Sequence, residues 1–419
     1  MARVLLLAAT TGYQIRSFGA AAERLGVRLV FASDRCDRLE DPWLDEAIPI
    51  RFQEPLAAAD IIARHGPFDG VLAVGDRPAL LAGYVTSVLG LVGNPPEAAS
   101  ASRNKLEARA AFSCAGLPTP PFRECSVNDD PCEIGARLSY PCVIKPLALS
   151  GSRGVMRVNS AAGFVEAFER LRRILDAPDV RTEQDASRTS ILVEAFIPGR
   201  EFAVEGVLDV GAFRAFAIFD KPDPLDGPFF EETIYVTPSR ATADEQRQII
   251  DTVARAAAAL GLHHGPVHAE CRVTPAGAVY VLEVAARPIG GLCSRALRFT
   301  RGNEAPVSLE EVLLRHAIGE DISGYAREKH AAAVMMIPIP RRGVLRRVEG
   351  VEAARAVAGI DDVLITAKPD AILVPLPEGR SYLGFIFARA EAPAEAERAL
   401  RDAHARLRFV IEREVTVVT

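Results

Sequence analysis

The sequence predicts an α/β protein, and three observations point that way. Strand and helix patterns alternate through the first hundred residues. A proline- and glycine-rich break then interrupts the chain. Beyond it, short apolar strands alternate with long amphipathic stretches before a last strand–helix segment.

The elements can be justified in order. Val4–Ala9 is an apolar run of strand length, a helix is expected from about Tyr13 to Leu25 with Gly26 as its stop, and Val27–Ala32 and Gly70–Val74 read as further buried strands. Alternation of this kind predicts a doubly wound parallel sheet, and the lack of a GxGxxG after the first strand argues against a dinucleotide site. A loop at Gly93-Asn94-Pro95-Pro96 precedes a helix expected to run to about Ala115, and Gly116-Leu117-Pro118-Thr119-Pro120-Pro121 is the break that links domains. Tyr140 to Pro146 is a strand ending in Lys145. Phe164, Phe168, Leu171 and Leu175 share one helical face, and Pro178 to Thr189 reads as a polar surface loop. Strands are expected at Ile191–Ala195, Phe202–Leu208 and Phe213–Phe219. A helix carries Ile249, Ile250, Val253, Ala257 and Leu260, and Val267–Val273 with Ala278–Ala285 forms a hairpin. The C-terminal part, with strands near Ala333–Ile339, Val363–Ala367, Ala371–Pro375 and Leu383–Ala388 and a helix bearing Ala392, Ala396, Leu400, Ala403 and Leu407, reads as a separate small domain.

Composition narrows the function classes. With 49% apolar and 25% charged residues over 419 positions, the balance is that of a soluble globular protein of several domains. A net charge of −6 offers no broad basic surface for nucleic acid or an anionic membrane. No apolar run nears the roughly 20 residues that span a bilayer, and the N-terminal run is too short for a signal peptide with its flanks. The seven scattered cysteines contain no CxxC, which fits reduced thiols in a cytoplasmic protein.

The most informative pair is Glu270 and Glu283. In a hairpin with an even loop centred between Ala276 and Gly277 they face each other; an odd loop would slip the register. Like charges directly opposed in a sheet are unfavourable, and a divalent cation would offset the repulsion. Two solvated glutamates on an exposed hairpin are the plain alternative. Upstream, Lys145 ends an apolar strand and is followed by the glycine loop Ser150-Gly151-Ser152-Arg153-Gly154. Lysine plus exposed backbone N–H groups suits a triphosphate, although the loop is no P-loop and an ordinary hairpin turn fits the same residues. Lys105 stands near a helix start, where a surface lysine is also ordinary. In Glu194-Ala195-Phe196-Ile197-Pro198-Gly199-Arg200-Glu201, an apolar strand ends in a linker with an acid on each side. Backbone groups of Ala195 and Ile197 could meet a base edge, Glu201 could accept from ribose hydroxyls, and Phe196 could wall the base.

Taken together and in this order, these segments resemble the ATP-grasp superfamily, over about Met1 to Arg301, with a tail similar to the small C-terminal domain of its carboxylase-like and amino-acid ligase members. The resemblance implies an ATP-grasp fold: an N-terminal Rossmann-like domain over residues 1–115, a small ATP-binding lobe over 116–190, a large lobe over 191–325 and an α+β domain over 326–419. It implies ATP and Mg2+ (with Mn2+ as a substitute) as cofactors. Lys105 and Lys145 become the ATP lysines, Ser150, Gly151, Ser152 and Gly154 the loop over the phosphates, Glu194 to Glu201 the hinge that grips adenine, and Glu270 and Glu283 the metal carboxylates. Many members read E-x-N-x-R after the second carboxylate. Here Glu283-Val284-Ala285-Ala286-Arg287-Pro288-Ile289-Gly290-Gly291 puts Ala285 at the Asn position, the E-x-A-A-R variant similar to L-amino acid ligases, which join two amino acids. Arg287 then meets the reacting phosphate and carboxylate, with Gly290 and Gly291 beside it. Phe230 to Ser239 resembles the loop that contacts the substrate amino group, with Glu232 as its acid and Tyr235 where many ligases carry histidine. Lys221 and His268 rank lower as functional residues. The implied reaction joins a carboxylate to an amine through an acyl phosphate, giving ADP and phosphate, in a cytoplasmic enzyme that pairs as a homodimer. A carboxylase of the same fold and a non-catalytic nucleotide binder are the competing readings; intact Lys145, Glu270, Glu283 and Arg287 count against the second.

Overall fold

The computed structural model describes residues 1–9, 14–34, 47–379 and 381–413. The expected helix start at Tyr13 and the thiol of Cys36 lie outside the described residues. The other six cysteines are free. Among the described residues no helix is long and apolar enough to cross a membrane.

The N-terminal part is a four-stranded parallel sheet in the spatial order Ile48–Pro49, Arg28–Ser33, Arg3–Ala8, Gly70–Val74. Val4 to Leu7 are fully buried, as expected of a strand covered on both faces by crossover helices. Helix Ile15–Leu25 ends at Gly26, whose left-handed φ of 64° lets its N–H close onto the last turn. The strand order reverses around Arg3–Ala8, so ligands are expected beyond the carboxyl ends of the central strands. There Gly75 (φ 104°) turns the chain into helix Asp76–Leu89 and leaves Asp76 at its first position.

One expected helix is two. Pro96–Arg103 and Lys105–Cys114 break at Asn104, whose extended backbone and side-chain acceptor for the Leu106 and Glu107 amides start the second helix. The physical cause is the N-cap preference of Asn, and the consequence is that Lys105 leads a helix, as its expected place near a helix start requires.

Phe122–Ser126, Ser190–Ala195, Cys142–Pro146 and Met156–Val158 form an antiparallel sheet in that order. Helix Ala161–Leu175, capped by Ser160, buries Phe164, Phe168, Leu171 and Leu175 on it. The segment expected as a surface loop instead holds helix Pro178–Thr182 and a 3-10 turn at Ala186–Thr189. Val180 is buried and Asp185 caps the turn; a single apolar residue among polar ones gave no periodic signal.

The largest sheet is antiparallel and eight-stranded. It runs from Val279–Ala285 through Gly265–Val273, Arg200–Asp209, Ala212–Lys221 and Ile234–Thr237 to Ala331–Ile337, Gly384–Ala390 and Ile360–Ile365. The C-terminal strands thus continue this sheet rather than standing apart, because Ile234–Thr237 pairs directly with Ala331–Ile337. Helix Pro393–His404 covers them with Ala396, Leu400 and Ala403 buried; Leu407 lies beyond its end. A smaller sheet adds Gly343–Glu349, a strand that went unrecognised because its arginines mask the alternation.

Candidate active site

One cavity of about 410 Å³ opens between the carboxyl ends of the N-terminal strands, the small sheet and the large sheet. Its walls bring together nearly every residue singled out from sequence: Lys105, Lys145, Ser150, Gly151, Ser152, Glu194, Ala195, Phe196, Ile197, Glu201, Glu232, Tyr235, His268, Glu270, Glu283, Arg287, Gly290 and Gly291.

Lys221 is not in that lining, and neither is Gly154. Its amide donates to Pro377 O (2.9 Å), and a Cβ at this position would sit 2.8 Å from Leu171 Cδ1. The glycine serves close packing rather than facing a ligand. Ser150, Gly151 and Ser152 do face inward, the last two at φ 64° and 54°, while Arg153 is bound to Asp179 instead.

The basic end of the cavity is built from two buried cations on one acid. Glu194 accepts from Arg109 (2.7 and 3.3 Å) and is in direct contact with Lys145. Arg109 is fully buried and also donates to Val281 O (3.1 Å), so it ties helix Lys105–Cys114 to both the small and the large sheet. Burial raises the Glu194 carboxyl, but Arg109 and Lys145 outweigh it and hold it at about 2. Burial lowers Lys145 to about 8; Glu194 opposes this, while Arg109 and Lys105 add to it. Lys105 reaches the same end, bonding Leu149 O (3.0 Å) and Glu283 (3.1 Å).

The hinge differs from expectation in detail. The Ala195 amide is already bound to Pro121 O, and the Ile197 carbonyl accepts from Arg272, because strand pairing and a buried guanidinium claim them first. Glu201 is likewise held by Lys221 (2.9 Å) and Arg272 (2.8 Å). Phe196 does form a wall: it stacks on Phe230 at 6.4 Å, with Arg157 over its ring.

The acidic end centres on Lys221, which bonds Glu201 (2.9 Å), Glu232 (2.7 Å) and Glu270 (2.9 Å). Burial disfavours its charge, yet the three carboxylates hold the proton far above the ordinary lysine range. Glu270 is raised by burial, but Lys221 and His268 outweigh this and keep it well below the usual carboxylate range. Burial and the charge of Glu270 push Glu232 up to about 7. Glu205, fully buried, holds His268 Nδ1 (3.1 Å) and accepts from the Ile289 amide (3.1 Å). Lys221, ranked low from sequence, is therefore the hub of this end.

Glu270 and Glu283 do face each other, but not through the expected even loop. The loop is the five residues 274–278, which slips the register by one. A bulge that leaves Leu282 without a partner then restores it, pairing Glu270 with Glu283. Both are carboxylates, hard oxygen donors whose chemistry fits Mg2+; Glu270 is already paired with Lys221 and Glu283 with Lys105. Across the cavity Arg287 donates to Asp76 (2.7 Å) from the start of helix Asp76–Leu89. Burial works against its charge, but Asp76 and Glu283 raise its affinity for the proton.

Sequence reading missed Arg109, Asp76, Arg272 and Glu205. Each acts through a partner dozens to hundreds of residues away, and a charged residue inside an apolar strand or helix was the one available signal.

Comparison with known proteins agrees with this geometry. A family described as ATP-grasp domain matches residues 138–296, and one described as L-amino acid ligase C-terminal domain 2 matches 335–412. The crystal structure of an L-amino acid ligase from Bacillus licheniformis superposes with a TM-score of 0.82 at 26% identity, covering 99% of both chains. Over these two segments the chain matches the ATP-grasp and L-amino acid ligase families, and it has the ATP-grasp fold. An uncharacterised protein of Sinorhizobium fredii is 25% identical over 96% of this ATP-grasp chain and 82% of its own length. An alanine–anticapsin ligase of Bacillus subtilis is 26% identical, over 48% of this chain and 44% of that ligase. N5-carboxyaminoimidazole ribonucleotide synthetase of Thermotoga maritima, at 14% identity and a TM-score of 0.69, shares the ATP-grasp fold alone.

Proposed function

We propose that this chain joins an amino acid, through its carboxylate, to an amine, with ATP and Mg2+ and an acyl phosphate on the way. The carrying observation is the polarity of one cavity: a cationic end (Lys105, Lys145), an anionic end (Glu201, Glu232, Glu270) and Arg287 between the walls.

Each residue then has a physical task. Lys105 and Lys145 take up charge on the triphosphate, and the inward amides of Ser150 to Ser152 cradle it. Phe196 and Phe230 wall the base, with Glu201 at the ribose end of the hinge. Glu270 and Glu283 would hold magnesium, which when bound neutralises the phosphates and keeps them in line. Arg287 stabilises charge on the transferring phosphoryl group and the substrate carboxylate, its fork oriented by Asp76. The substrate carboxylate oxygen attacks the γ-phosphorus as ADP leaves; the amine then attacks the acyl carbon and phosphate leaves. Glu232 receives the substrate ammonium, as three carboxylates around one lysine leave room for a further positive charge. Packing of the 150–154 loop over the site excludes water that would hydrolyse the acyl phosphate. Such an enzyme works where ATP is plentiful, in the cytoplasm.

The test is a phosphate-release screen over amino acids, singly and in pairs, with the product mass measured. A product heavier than either substrate by a condensation, with equimolar ADP, is expected. Bicarbonate-dependent turnover would favour a carboxylase, and ATP binding without phosphate release from any pair would favour a binding protein.

A further inference from the structure

Asp209 ends the strand Arg200–Asp209 that begins beside the catalytic acids, so it lies on the order of 25 Å from Glu201 along that strand. At that remote end two histidines meet it. His264 precedes the strand Gly265–Val273, and His316 occupies the last turn of helix Leu309–Ala317. Their rings stack at 4.3 Å between centroids and 22° between planes. His264 Nδ1 and His316 Nε2 each point at Asp209 Oδ1 from 3.6 Å, beyond hydrogen-bond reach. Both nitrogens are buried and have no hydrogen-bond partner, and the His316 side chain is only 4% exposed. Two buried ring nitrogens aimed at one carboxylate without a hydrogen bond are a costly arrangement if nothing lies between them.

We propose that Asp209, His264 and His316 bind a borderline divalent metal ion of the zinc class, at a site separate from the ligase centre. The three ligand atoms all lie within 4.8 Å of one another. A tetrahedral zinc with bonds of about 2.0–2.1 Å holds its ligand atoms roughly 3.3 Å apart, so the two 3.6 Å gaps close by a few tenths of an ångström, while the ring nitrogens, within 4.8 Å of each other, draw together as the stacked rings turn toward the ion. Two imidazoles and a carboxylate select zinc over magnesium. Burial keeps both rings neutral, lowering His264 to about 4 and His316 below its ordinary value, so both lone pairs are available. The backbone is already set for this. Asn94 Oδ1 accepts from the His263 and His264 amides (2.7 and 3.1 Å), and the Gly211 amide donates to His263 O (2.7 Å). Asp209 is two-thirds exposed, which leaves the fourth position to water. The ion would clip the sheet end to helix Leu309–Ala317, a stabilising rather than catalytic role.

The test uses the full-length protein, stripped with chelator and titrated with Zn2+ in millimolar Mg2+, which occupies the carboxylate centre. Calorimetry should give one equivalent of zinc, and Co2+ in its place should give the strong visible bands of a tetrahedral site. His264→Ala and Asp209→Ala should each weaken zinc binding by at least about a hundredfold. Asp209 is exposed, so its variant keeps the fold and the ligase activity. Zinc should raise the melting temperature of the parent chain and not of the Asp209 variant. No stoichiometric zinc binding, or binding at the parent's strength in either the Asp209 or the His264 variant, overturns the assignment whatever the ligase assay shows.

Discussion

The two ends of the cavity are built on opposite charge plans. At the small-sheet end one carboxylate, Glu194, lies between two cations, Arg109 and Lys145, and the cluster carries an excess of positive charge. At the large-sheet end one cation, Lys221, lies among three carboxylates, Glu201, Glu232 and Glu270, and even with Arg272 on Glu201 the excess is negative once Glu232 ionises, above about pH 7. Neither cluster satisfies itself. Buried charge is tolerated when it is paired, and each end lacks the sign that its proposed ligand would supply: phosphate at one, metal and ammonium at the other. The difference teaches that the site is preorganised for a polar reaction.

Four experiments break or sharpen that contrast. The largest effect is expected from Glu283→Ala, which removes one of the two opposed carboxylates proposed to hold magnesium. Magnesium-dependent ADP formation should fall on the order of a thousandfold, with circular dichroism unchanged. Near-normal turnover would sink the metal assignment.

Lys221→Met tests whether the acidic end needs its hub. Three buried carboxylates would lose their common cation, and breaking such a cluster costs about 3–5 kcal/mol. Denaturant unfolding should show that loss, with millimolar Mg2+ restoring part of it. A loss below about 1 kcal/mol, the scale of a surface pair, would mean that the cluster is solvated.

Arg287→Ala should lower turnover by about a hundredfold while ATP affinity changes little, since its task is at the transferring group. Equal loss of both would make the Asp76–Arg287 pair a purely structural clasp.

The smallest effect concerns pH. Lys145 is charged below about 8 and neutral above it. ATP affinity should therefore fall as pH rises through that value, by roughly tenfold for the loss of one charge-assisted contact. Lys145→Arg should flatten the profile between pH 7 and 9, because a guanidinium does not lose its proton there. An unchanged profile would remove Lys145 from the phosphate contacts.

Much of the site was legible because its residues sit in short, ordered segments. Lys145 at the end of an apolar strand, the Ser150 to Ser152 loop, the Glu194 to Glu201 linker and Arg287 after Glu283 all keep local signatures. Each lines the cavity. Gly154 shared the same signature and yet packs against Leu171, since a glycine's need for space looks alike whether the neighbour is a phosphate or a leucine. The Glu270–Glu283 pairing came out right although its expected loop was wrong, because a bulge at Leu282 cancels the slip of the five-residue turn. Bulges leave no period in the sequence.

By itself the sequence determined the α/β class, the run of chemistry-bearing segments and the identity of the acids and bases, because period, capping and strand-end position are local properties of the chain. Only the tertiary structure decided which charges meet. Arg109 on Glu194, Asp76 on Arg287 and Lys221 among its three glutamates are contacts across 85, 211 and up to 49 residues. Coulomb energy depends on distance in space and on burial, and neither is written in spacing along the chain.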